Sequence, residues 1–161
     1  MTEGFILREN APSNITLRKA TPSDLAFLYR VSTEAMRPVT EAGTATQNDA
    51  GEEYEKYKAK FDPEKIDIIQ YNGKDVGRLR VVRSEASIYV GGIQILPEYQ
   101  GKGIGTSLFT DLIQESITSN LPITLEVHDI NTGARAFYEN LGFEYGEKKN
   151  DQTIMIYNPV G

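Results

Sequence analysis

The chain has 161 residues, 39% hydrophobic and 25% charged, with 9 tyrosines and 6 phenylalanines spread along it, the size and make-up of one globular domain over 1–161. It has no cysteine and a single histidine, His128, which excludes disulfides, cysteine nucleophiles and multi-histidine zinc sites, so no metal is expected. A net charge of −6 argues against a nucleic-acid partner, and the lack of a long apolar run or signal-peptide pattern predicts no membrane association and a cytoplasmic location.

Residues 15–21 alternate and predict a strand, and Thr21-Pro22-Ser23-Asp24 predicts the start of a helix running to about Met36. Pro38 stops it, and the small, polar residues of 40–51 carry no period, which predicts a mobile surface loop before a helix over 52–61. From Lys65 the pattern is β: Ile66, Ile68, Ile69 and Tyr71 lead into the tight-turn pair Asn72-Gly73, and 76–83 return as the second arm of a hairpin. A third strand over 88–96 holds the pair Gly91-Gly92, where a bulge or a close backbone approach is expected. Pro97 ends it, and the glycine-rich turn 100–105 opens a helix to about Asn120 with Leu108, Phe109, Leu112, Ile113 and Ile117 on one face. Residues 122–127 predict another strand. Asn131 stands where a cap is expected for a helix carrying Ala134, Phe137, Tyr138 and Leu141, which Gly142 ends in a left-handed conformation. Two arms, 143–149 and 153–157, close the chain as a hairpin around Asn150-Asp151. The sum is an α+β fold, a mainly antiparallel sheet with helices on its faces.

Closely spaced glycines between a strand and a helix let backbone N–H groups converge on an anion at the helix's positive end, so 100–106 reads as a phosphate cradle, with an ordinary tight turn as the competing reading. Gly-x-Gly-x-Gly is not the dinucleotide spacing, and Lys102 followed by Gly103 is not the nucleotide-hydrolase loop. On periodicity alone Tyr138 is a core tyrosine. Arg78 and Arg80 share one face of their strand, either to bind a carboxylate or phosphate on a substrate or as a solvated face. Between Glu41 and Glu64, seven acids against three lysines give −4, a field suited to a cationic amine and equally the mark of an exposed charged helix.

The turn Gln-x-x-Gly-x-Gly after Ile93-Gln94-Ile95-Leu96-Pro97-Glu98-Tyr99 resembles the acetyl-CoA signature of the GNAT superfamily of N-acetyltransferases. Residues 125–143, a strand, an Asn-capped helix and a Tyr-x-x-x-Gly-Phe ending, are similar to that family's second signature. The element order matches over nearly the whole chain and is weakest in 31–61. The resemblance implies a GNAT-like sheet of about six to seven strands with about four helices. It also implies an N-acetyltransferase that moves an acetyl group from acetyl-CoA to a primary amine by direct attack in a ternary complex.

Carried to single positions, it implies that Gly101, Lys102, Gly103, Ile104, Gly105 and Thr106 hold the CoA pyrophosphate, chiefly through backbone N–H groups, with Gln100 supporting the turn. Ile93, Gln94 and Ile95 match the strand edge that pairs with pantetheine, and Asn131 matches a cofactor-contacting position compatible with its cap role. Tyr138 matches the general acid, because a phenol can hydrogen-bond or protonate the departing thiolate. Glu126 is the candidate base, directly or through water, since its spacing from Asn131 and Tyr138 is similar to that in ribosomal-protein N-terminal acetyltransferases; a solvated strand glutamate is the plainer reading. His128 is read as a bystander. Arg37, Tyr54 and Tyr89 are candidates to line the acceptor site. The alternatives are a non-catalytic CoA-binding sensor or interaction module, and a protein N-terminus or lysine as acceptor in place of a small amine. Relatives are often dimers, which leaves a homodimer open.

Overall fold

A computed structural model describes residues 14–35 and 50–159, in which seven strands make one sheet. They are β1 (Ile15–Lys19), β2 (Asp67–Tyr71), β3 (Lys74–Arg83), β4 (Ile88–Ile95), β5 (Ile123–His128), β6 (Glu144–Lys149) and β7 (Gln152–Tyr157). The order is β1-β2-β3-β4-β5-β7-β6, antiparallel throughout except where β4 runs parallel to β5. The helices among the described residues are α1 (Leu25–Ala35), α2 (Ala50–Lys60), α3 (Ile104–Ser119) and α4 (Thr132–Leu141). This is the expected α+β class. No helix among the described residues is long and apolar enough to cross a membrane.

Local chemistry accounts for the boundaries. β1 stops at Lys19, two residues before the expected end, because Ala20 turns into the core and Thr21 becomes the N-cap of a short 3₁₀ turn, Pro22–Asp24, ahead of α1. The Asp24 carboxylate accepts from the Thr21 N–H at 2.8 Å and from both forks of Arg18 at 2.9 Å, and that guanidinium also reaches Asp75 at 2.8 Å. Arg18 holds the Asp24 carboxyl down at about 2. The β2–β3 turn is built as read, with Asn72 and Gly73 at φ 54° and 79°. The helix expected from Glu52 begins at Ala50, so the last two residues of the expected loop are helical. The rest of that loop, with Met36, Arg37 and Pro38, lies outside the described residues.

One core fills the space between the sheet and helices α3 and α4, centred on Phe109, whose ring lies 5.4–5.9 Å from those of Phe137, Tyr138 and Phe143. Ile117 corrects the expected α3 stripe: it is 49% exposed. The buried row instead runs Leu108, Leu112, Ser116, and the Ser116 hydroxyl donates to the Leu121 carbonyl beyond the helix end, which turns Ile117 outward. A second, smaller core of Ala20, Leu28, Ile66 and Ile68 lies on the opposite face with Tyr57 and Phe61 of the α2 region.

Candidate active site

The site starts from a break in the sheet. β4 and β5 pair over only three positions, Ile88 with Ile123, Tyr89 with Thr124 and Val90 with Leu125, and then separate. At the same point the β3–β4 register slips: Val81 faces Val90 while Arg80 faces Gly92, so Gly91 is the extra residue of a bulge. The expected bulge in the glycine pair is therefore real, and it bends β4 away from β5. From Gly91 to Ile95 the strand keeps β3 on one side and, among the described residues, no paired strand on the other, which leaves backbone donors and acceptors along that edge without a strand partner.

A cleft of about 520 Å³ occupies the gap. Its floor and walls are Ile93 and Ile95 of β4, the turn Gln100, Gly101 and Gly103, the first residues of α3, and Gly133, Ala134, Phe137 and Tyr138 of α4. The glycine turn closes one end of the cleft. Gly101 and Gly103 have φ of 77° and 83°, a conformation that side chains disfavour, and Gly103 is the α3 N-cap without a capping side chain. The first α3 hydrogen bond runs from the Ser107 N–H to the Gly103 carbonyl at 3.0 Å; among the described residues no amide from Gly101 to Thr106 has a backbone acceptor. Unpaired N–H groups at a helix N-terminus carry the positive end of the helix dipole into the cleft. Gln100 braces the turn, its side-chain amide donating to the Ile95 carbonyl at 2.9 Å.

Tyr138 is 8% exposed, and its ring packs on Phe109 and Phe143 while its side chain lines the cleft. Its two readings, core tyrosine and cleft residue, are one arrangement. Burial pushes the phenol up to about 12. Among the described residues its hydroxyl has no hydrogen-bond partner.

Not every expected residue meets the cleft. Gln94 alternates with Ile93 and Ile95 and puts its side chain on the other face of the sheet, so only its backbone stays on the open edge. Lys102 is exposed on the turn and does not line the cleft. Asn131 caps α4, accepting from the Ala134 N–H at 3.1 Å, and stands just outside the lining. Glu126 points opposite to Leu125 and Val127, as expected, with its carboxylate 3.9 Å from the Lys149 ammonium. His128 ties the end of β5 to the β6–β7 turn: its Nε2 lies 3.0 Å from Asp151, and its Nδ1 accepts from the Ile130 N–H at 3.3 Å. Tyr99, Gly133, Ala134 and Phe137 line the cleft without having been singled out for it. The α4 stripe was the available signal, because a helix that borders a split sheet turns part of its apolar face to the gap.

Residues 28–143 match the family model described as Acetyltransferase (GNAT) family. The chain belongs to that family. A curated relative, an uncharacterized N-acetyltransferase of Archaeoglobus fulgidus, is 28% identical over 130 residues, covering 76% of this chain and 88% of the relative. Among solved structures, the GNAT fold here resembles the PaiA N-acetyltransferase of Thermoplasma acidophilum in complex with coenzyme A (TM-score 0.69, 18% identity, covering 89% of this chain and 98% of that one). It also resembles the ribosomal-protein-S18-alanine N-acetyltransferase of Escherichia coli (TM-score 0.63, 22% identity, 89% and 93% covered). At these identities the solved structures speak to the fold.

Proposed function

We propose that the chain is an N-acetyltransferase that transfers the acetyl group of acetyl-CoA to a primary amine by direct attack within a ternary complex. The observation that carries this reading is the split between β4 and β5, closed at one end by unpaired amides of a glycine turn and bordered by Tyr138. The residues fit acetyl-CoA: Gly101 to Thr106, braced by Gln100, would receive the pyrophosphate, with Lys102 adding charge from the rim. The open backbone edge over Ile93, Gln94 and Ile95 would pair with the pantetheine arm, and an N–H on that edge would polarise the acyl carbonyl. Asn131 fixes the start of α4 and so the wall beyond.

Acetyl-CoA supplies an activated acyl group and a thiolate leaving group. The Tyr138 hydroxyl donates a hydrogen bond where that charge develops, and Glu126, through water, accepts the proton that the amine gives up. The solved relatives with CoA or acetyl-CoA bound, including the YncA putative acetyltransferase of Salmonella typhimurium, support the cofactor assignment.

The deciding experiment is calorimetric titration of acetyl-CoA into the wild-type protein and a Gly103→Val variant. One-to-one binding is expected for the wild type, with at least a tenfold loss in the variant, because valine at φ 83° is strained and fills the approach to the amides. No wild-type binding at millimolar ligand would refute the reading. Binding without acetyl transfer to any amine or peptide would point to a CoA-binding sensor.

A further inference from the structure

On the face of the sheet away from the cleft, two arginine side chains pass close over two glycines. Arg78 Nη2 and Arg80 Nη1 each stand 2.5 Å from where a Cβ would sit on Gly92 and Gly91. Any side chain at those positions would displace them, so the glycine pair serves two ends: it bends β4 and gives the guanidiniums a shelf beside the split. Arg18, Arg30 and Arg83 each hold a carboxylate, whereas among the described residues neither Arg78 nor Arg80 has an ion-pair partner.

Three buried polar atoms without hydrogen-bond partners occur among the described residues: Tyr57 Oη, Arg78 Nε and Gln94 Oε1. Gln94 is the cross-strand partner of Arg78. Burial raises the Tyr57 phenol, and the charge and hydrogen-bonding reach of the Arg78 guanidinium draw it back, so Tyr57 Oη faces Arg78 short of a well-formed bond and the three belong to one locality. Leaving Arg78 Nε and Gln94 Oε1 unpaired is costly, and a fixed guanidinium fork matches a carboxylate in two-point geometry. The set holds two kinds of donor and one acceptor, which is the complement of an oxyanion with a nearby N–H.

The same face leads to the reaction centre. Val82 pairs with Tyr89 and Tyr89 with Thr124, so Arg80 and Arg78 share a face with Glu126, two residues beyond Thr124. Although the chain carries −6 overall, exposed charges farther than about 10 Å are screened, whereas these guanidiniums act at contact.

Resting on the acetyl-transfer reading above, we propose that the acceptor is an amine that also carries a carboxylate, an amino-acid-like molecule anchored by Arg78 and Arg80 with Tyr57 and Gln94 while its amine reaches the split. A polyamine would meet two fixed positive charges there.

The test presents matched pairs to the protein: the common L-amino acids and 4-aminobutyrate, each beside its carboxamide, and O-phosphoethanolamine beside ethanolamine. Binding to the protein loaded with CoA is measured by calorimetry, and transfer from acetyl-CoA by thiol release. At least one acid should exceed its carboxamide by 10-fold to about 100-fold in affinity or kcat/KM. Arg78→Gln should abolish that preference with acetyl-CoA affinity unchanged, and Arg78→Lys should retain part of it. Preference for O-phosphoethanolamine over every acid would replace the carboxylate by a phosphate. The proposal is overturned if no acid exceeds its carboxamide threefold, or if Arg78→Gln weakens acid and carboxamide equally. Should acetyl-CoA itself fail to bind, the transfer reading falls, and calorimetry of the acids on the unloaded protein still decides whether the arginine site exists.

Discussion

At the residue scale, the proposed chemistry turns on Tyr138. Burial raises this phenol to about 12, so it holds its proton more tightly than a free tyrosine. In the proposed mechanism this favours a hydrogen bond held toward the developing charge. Tyr138→Phe keeps the ring packed against Phe109 and Phe143 and removes only the donor, so kcat should fall about 10-fold to 100-fold with acetyl-CoA affinity unchanged. The sign of the pH dependence follows from the upward shift. Wild type and variant should share the same profile shape over the accessible range, because burial raises the removed group above the ordinary tyrosine value. Rates measured from pH 6 to pH 10.5 check this; loss of an alkaline limb in the variant would show that the tyrosine ionises during turnover.

At the scale of elements, glycine positions separate backbone demands from side-chain demands. A Cβ on Gly77 would lie 2.3 Å from the Gln94 carbonyl oxygen, so the main chain of β4 leaves no room for a side chain there, beside the edge proposed to pair with pantetheine. Backbone cannot swing aside, and Gly77→Ala should cost about 2–4 kcal/mol, seen as a melting temperature lower by about 5–15 °C. Gly91→Ala meets only the movable end of Arg80 and should cost less than about 1 kcal/mol by the same thermal scan. Equal losses at the two positions would disprove this distinction. The sequence made the Asn131 cap, the Gly142 stop and the Asn72-Gly73 turn legible, because each is fixed by local backbone chemistry, and marked the Gly91-Gly92 pair as the place of a bulge or close approach without saying which. It did not reveal that Gln94 faces away from the cleft, since the bulge that sets the parity of β4 depends on pairing with β3. Nor did it choose between receptor and solvated face for Arg78 and Arg80: that contrast appears only when Gly91 and Gly92 are brought beneath them and Tyr57 beside them from α2.

For the whole molecule, the question is whether a sheet joined across β4 and β5 by three paired positions behaves as one body. The core argues that it does: Ile69, Val76 and Leu79 from one half and Ile123, Leu125 and Met155 from the other lie in one buried cluster, with Leu108, Phe109 and Leu112 of α3 packed across both. Hydrophobic cohesion of this kind does not need an unbroken hydrogen-bond ladder. Scanning calorimetry should therefore give a single transition with an enthalpy of about 110 kcal/mol for 161 residues near 60 °C, equal to its van't Hoff value. Acetyl-CoA bound in the split adds contacts to both halves of the native state and none to the unfolded chain, so ligand at 100 times its Kd should stabilise by about 2.7 kcal/mol and raise the transition by about 5–11 °C. The transition should stay single as it moves, because a ligand in the cleft would bridge β4 and α4, which both line it, instead of shoring up one half. Two transitions, of which acetyl-CoA shifts only one, would mean that the halves fold apart and that the split is a boundary between independent units.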